Sequence, residues 1–95
     1  MPYVIYGLED PTSTTICYVG TTDNVQRRFI EHLRLSGYNL AKNAWVANLF
    51  ARGYTPVMKT LETVEGTRQD ARSREIHWLH HYQEQGPLFN QIEHP

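Results

Sequence analysis

The segment at residues 18–33, YVGTTDNVQRRFIEHL, limits the folds open to this chain more than any other, because its hydrophobic period changes partway through. Ile16, Tyr18 and Val19 are β-branched or aromatic and predict a strand, which Gly20 ends. Thr21, Thr22, Asp23 and Asn24 supply turn and N-cap chemistry, and Asp23 with Gln26 three residues on predicts a capping box. Val25, Phe29 and Leu33 then recur at every fourth position, the apolar stripe of a helix. Arg28 and His32 have the same spacing and share one helix face. An arginine offers a planar fork of donors to a phosphate, and a histidine one turn away can move a proton near neutral pH. A solvated helix face is the plainer account of the same pair.

The rest of the chain builds around that unit. Residues 3–8 (YVIYGL) form a first strand, and the polar, proline-containing residues 9–15 (EDPTSTT) turn it into the second as a hairpin. The first helix is expected over residues 24–35, with Ser36 and Gly37 breaking it. A second helix is expected over residues 42–52, with Trp45, Val46, Leu49 and Phe50 on its apolar side and Gly53 as the residue after its cap. Residues 56–64 alternate as a third strand with one partly wet face. Thr67 and Asp70 predict a second capping box, opening a third helix over residues 68–85 that Gly86-Pro87 stops. Ala71, Trp78, Leu79 and Tyr82 give that helix its stripe, and residues 88–92 (LFNQI) are apolar enough to pack back on the sheet. The order is β-β-α-α-β-α: an α/β chain of the α+β type, with a small three-stranded antiparallel sheet flanked by helices.

Its 95 residues suit one domain spanning 1–95. A formal charge of −1 excludes a global positive field, so a nucleic-acid role needs a local basic patch. Arg27, Arg28, Arg34, Lys42 and Arg52 cluster in the first half of the helical region. The single Cys17 excludes an internal disulfide and a cysteine-based zinc site, and fits a reducing compartment. No apolar run approaches membrane-spanning length and the amino terminus is unlike a signal peptide, so a soluble, cytoplasmic protein with no membrane partner is expected.

Glu75 stands at the edge of the third helix's apolar stripe. A carboxylate there must be paired, metal-bound or shifted in pKa. A pair with Arg72 is the plainer account, yet carboxylate oxygen is also the ligand Mg²⁺ prefers. Tyr6 and Tyr18 lie on adjacent hairpin arms, where tyrosines usually pack; with an ordinary pKa near ~10, a tyrosine acts as a base only where nearby cations favour the phenolate. His77, His80 and His81 crowd the third helix without an HExxH pattern, which argues against a zinc site.

Val4-Ile5-Tyr6, followed by Tyr18-Val19-Gly20, resembles the paired motif of the GIY-YIG nuclease superfamily. The resemblance continues in order along the whole chain. The family's arginine, eight residues after the second glycine, falls on Arg28; its frequent histidine four later falls on His32; its metal-bearing glutamate falls on Glu75; and an asparagine near the end falls on Asn90. Val4 stands where the family has glycine, and Thr21-Thr22-Asp23 stands where some members carry a lysine, so that phosphate contact is expected from Lys42 or Arg27 instead.

The resemblance implies a DNA endonuclease using a single Mg²⁺ or Mn²⁺ held by Glu75. It implies Arg28 on the phosphoryl oxygens, one of Tyr6 and Tyr18 deprotonating the attacking water with the other orienting it, and His32 assisting proton transfer. Tyr6 is favoured as the base because Gly7 beside it leaves space. Gly20, Arg27, Lys42 and Asn90 are the expected substrate contacts. Relatives usually join this domain to a DNA-binding module, so this is either a standalone nuclease or a catalytic part of something longer, with a homodimer or accessory DNA-binding partner supplying specificity. Two other readings remain: a catalytically silent nucleic-acid-binding module with the same fold, and a protein-interaction domain using Trp45, Phe50, Trp78 and Tyr82.

Overall fold

Ile5, Tyr6, Gly7 and Leu8 are all buried, four consecutive residues that must be covered on both faces. In the computed structural model, which describes residues 2–35 and 37–90, they lie on the central strand of the sheet. That strand, β1 (Tyr3–Asp10), pairs antiparallel with β2 (Thr15–Thr22) on one side and with β3 (Val57–Val64) on the other. The helices are α1 (Val25–Leu33), α2 (Leu40–Ala51) and α3 (Arg68–Gln83), giving the expected order β-β-α-α-β-α. No helix among the described residues is long and apolar enough to cross a membrane.

The sheet carries a core on each face. Ile5, Ile16, Val19 and Val64 meet Ala71, Trp78, Leu79 and Tyr82 of α3 on one side. Tyr6 and Leu8 meet Trp45, Val46 and Leu49 of α2, with Phe29 of α1, on the other. Each outer strand changes face once through an irregularity. On β2 the register shifts between the partners of Leu8 and Glu9, so Cys17 and Tyr18 both pack on the α1–α2 side. On β3 it shifts between the partners of Ile5 and Tyr6, so neighbours Leu61 and Glu62 both address α3. The simple alternation expected for residues 56–64 therefore does not hold.

Several expected boundaries move, each for a local reason. Gly20 does not end β2: it pairs with Tyr6, and the β-branched Thr21 and Thr22 continue the ladder opposite Ile5 and Val4. The cap of α1 is Asn24, whose side chain accepts from the Arg27 amide at 3.0 Å, while Asp23 pairs with the Arg27 guanidinium at 3.1 Å. Helix α1 stops at Leu33, because Leu35 takes a left-handed φ of 57° and turns the chain away. Helix α2 starts at Leu40, earlier than expected, capped by Asn39. The Thr67–Asp70 capping box is present at α3, with both reciprocal bonds at 3.1 and 3.0 Å.

The tail does return to the sheet. Leu88 packs on the α3-side core, and Phe89 stacks on Trp45 with ring centroids 5.5 Å apart. Ser36 of the expected helix break, and Gln91 and Ile92 of the expected tail, lie outside the described residues. The aromatic surface considered for a protein partner is largely consumed by this packing. Trp45, Trp78 and Tyr82 serve the two cores, and of the four only Phe50 is markedly exposed.

Candidate active site

Tyr6 projects from the middle of β1 onto the α1–α2 side, where its ring lies over Gly20 of the paired strand. A Cβ at Gly20 would run into the Tyr6 hydroxyl and ring, so the glycine makes room for the tyrosine. The hydroxyl reaches His32 Nε2 at 2.7 Å and accepts from Arg28 Nε at 3.3 Å. Tyr18, on the neighbouring strand, closes the group: its ring centroid lies 6.3 Å from Tyr6 and 5.1 Å, edge-on, from His32. Strand pairing thus sets the two tyrosines side by side, and the helical spacing of Arg28 and His32 delivers a cation and an imidazole to one hydroxyl.

The electrostatics of this group follow from its depth. Tyr6 and His32 are each 1% exposed. Burial, reinforced by the like charges of Arg28 and Lys42, pulls the His32 pKa down to about 3, so the imidazole is neutral at physiological pH. Burial likewise pushes the Tyr6 phenol above its ordinary range, with Tyr18 and Glu75 adding to the rise and Arg28 opposing it. His32 Nδ1 is buried without a hydrogen-bond partner among the described residues.

In front of this group a cleft of about 820 Å³ opens between α1, α2 and α3, and Tyr18, Arg28, Lys42, Glu75 and Asn90 all line it. Glu75 projects from α3 with its side chain 17% exposed, Oε1 accepting from the Thr21 hydroxyl at 3.0 Å and Oε2 facing Arg72 at 3.7 Å. Lys42 is 3% exposed, makes no side-chain hydrogen bond or ion pair among the described residues, and is held below its ordinary pKa by burial and by Arg28. The Asn90 amide accepts from the Val19 N–H at 2.9 Å and donates to the Val19 carbonyl at 2.6 Å, completing the edge of β2 as a strand would.

Not every expected residue reaches the cleft. Tyr6, favoured as the base, is buried and lines no part of the cleft, and His32 stands behind the tyrosines instead of forming the cleft wall. Gly20 does not line the cleft and serves Tyr6. Arg27 faces an adjoining basin, paired with Asp23. The space expected beside Gly7 is taken by Ile16 on the opposite sheet face, so it cannot admit water to Tyr6. Sequence reasoning missed Thr21, which orients Glu75. Strand alternation would have found it, since Thr21 falls on the α3 face once β2 is carried past Gly20.

A divalent cation fits Glu75 chemically. Its carboxylate is a hard oxygen donor, open to the cleft, with one oxygen bound only to a hydroxyl and the other loosely paired. Among the described residues no three His, Cys, Asp or Glu side chains converge, so a cation there would draw its remaining ligands from water and substrate.

A family model described as the GIY-YIG catalytic domain matches residues 2–87. No curated protein and no solved structure matches the chain.

Proposed function

Because the chain belongs to the GIY-YIG family, whose members are nucleases and generally use a divalent metal, we propose that it is a metal-dependent endonuclease hydrolysing DNA phosphodiester bonds. The observation that carries this reading is the Tyr6 hydroxyl held between Arg28 and a neutral His32, with Glu75 on the same cleft as Arg28.

Each residue then has a role suited to its surroundings. Arg28 meets the charge that grows on the phosphoryl oxygens, where a preorganised guanidinium acts most strongly in a partly desolvated site. Tyr18, the tyrosine that lines the cleft with Arg28 and Lys42, is the base and as phenolate takes a proton from the attacking water. Tyr6, buried behind it, accepts from Arg28 Nε at 3.3 Å and bonds His32 Nε2 at 2.7 Å, so positioning the guanidinium. The water oxygen bonds to phosphorus, the bond to the leaving oxygen breaks, and that oxygen takes a proton from solvent water in the open cleft. Lys42 brings a second cation to the phosphate, and its burial without a partner leaves its donors for substrate. Asn90 positions the Tyr18–Val19 segment from the strand edge. Glu75 would hold Mg²⁺ or Mn²⁺, which when bound polarises the scissile phosphate and stabilises the leaving oxygen.

Supercoiled plasmid incubated with Mg²⁺ or Mn²⁺ tests the reading. Wild type should nick it and Glu75→Ala should not. No cleavage by wild type, or equal cleavage by the variant, overturns it.

A further inference from the structure

Beyond the ridge formed by Arg28, Arg72 and Glu75 lies a second basin of about 430 Å³. Those three residues line both it and the main cleft, so the two spaces adjoin across the carboxylate. Arg27 and Arg68 complete its cationic lining, and its carboxylates are Asp23 and Glu75. Four arginines against two carboxylates is a strongly positive spot on a chain whose formal charge is −1. It is the local basic patch that a near-neutral nucleic-acid enzyme requires.

The arginines of α3 are placed against the interests of the helix. Arg68 is the first helical residue and Arg72 lies one turn on, so two like charges face each other at four-residue spacing. Arg68 also sits at the positive end of the helix dipole, where acidic residues are stabilising and cations are not. Arg68 is exposed and makes no side-chain hydrogen bond or ion pair among the described residues. Arg72 has Glu75 at 3.7 Å and Arg27 has Asp23 at 3.1 Å, but nothing among the described residues offsets Arg68, and a bound anion would relieve its repulsions.

We propose that this basin binds the nucleic-acid backbone next to the cut, with Arg68 and Arg72 gripping the phosphate that flanks the scissile one. The inference rests on the nuclease reading for what crosses the ridge. It assigns Arg68 and Arg72 to substrate binding, and it sets the strand running from the Lys42 end of the cleft, past Glu75, into the arginine basin.

The test is binding of a short fluorescent DNA duplex by the full chain without divalent metal, measured across a salt series. Arg68→Gln should weaken binding several-fold and reduce the slope of log K against log salt by about one, the signature of one lost phosphate contact. Arg68→Lys, which keeps the charge, should restore most of that slope. Arg52→Gln removes the same charge at the end of α2, lining neither basin, and should bind as wild type does. The proposal falls if Arg68→Gln keeps the wild-type affinity and slope, if Arg52→Gln loses as much, or if wild type shows no salt-dependent binding. Plasmid nicking is scored separately. Salt-sensitive binding without cleavage sinks the nuclease reading and leaves the basin standing; cleavage with an unaltered Arg68→Gln slope does the reverse.

Discussion

His32 keeps one ring nitrogen buried and unbonded, a defect worth about 1–3 kcal/mol, directly behind the hydroxyl of Tyr6. A histidine serving packing alone would be replaced by an apolar side chain at no such cost, so the imbalance points to a requirement for the imidazole itself. Its pKa, lowered by burial and by Arg28 and Lys42 to about 3, fixes the form it takes. Well above that value it is neutral and able to accept a hydrogen bond from Tyr6. The rate of cleavage should therefore show no inflection near the ordinary histidine value of 6.5, and a clear break there would contradict this arrangement. Tyr18→Phe should lower the rate by about 10²–10⁴-fold, the usual worth of a positioned base. In the sequence Lys42 and Arg27 are equal candidates for a phosphate contact, and only the structure separates them, with Lys42 lining the cleft and Arg27 the adjoining basin.

At the scale of elements, the edge strand β2 carries Tyr18, Gly20 and Thr21, and its outer edge needs a partner. It is bonded to β1 on one side only. Its other edge is met by the tail, with the Phe89 amide donating to the Cys17 carbonyl at 2.7 Å and the Asn90 side chain taking both backbone groups of Val19. Asn39, the cap of α2, donates to the Phe89 carbonyl at 2.6 Å, tying that tail to the cleft's far wall. Asn90→Ala would leave a part-buried donor and acceptor unmatched beside Tyr18. It should cost about 1–3 kcal/mol of stability in a urea titration. The loss of rate should come with weaker protection of the Val19 amide from hydrogen exchange; an unchanged unfolding midpoint would remove the strut from the account.

For the molecule as a whole, a sheet cored on both faces puts titratable groups where water cannot reach them, and acid should reveal it. Below about 6.5 the unfolded chain takes up a proton on His32 that the folded chain declines until about 3. The unfolded state binds more protons in that window, so the His32 contribution to stability is full above it and declines as pH falls through it. Urea midpoints at neutral and mildly acid pH should show a smaller drop for His32→Gln than for wild type; equal drops would mean the imidazole titrates freely. The element order, the hairpin, the Thr67 cap and the family were all legible along the chain, because propensity, capping and motif spacing are local properties. So was the company kept by Tyr6, Tyr18, Arg28, His32 and Glu75, though only as a resemblance. Their depth was not legible. That His32 stands behind the tyrosines, that Gly20 exists for the Tyr6 ring, that Thr21 orients Glu75 and that Arg68 joins Arg27 across a basin all depend on strand register and on which face each helix covers. Those are set by contacts between residues far apart in the chain, which no local pattern records.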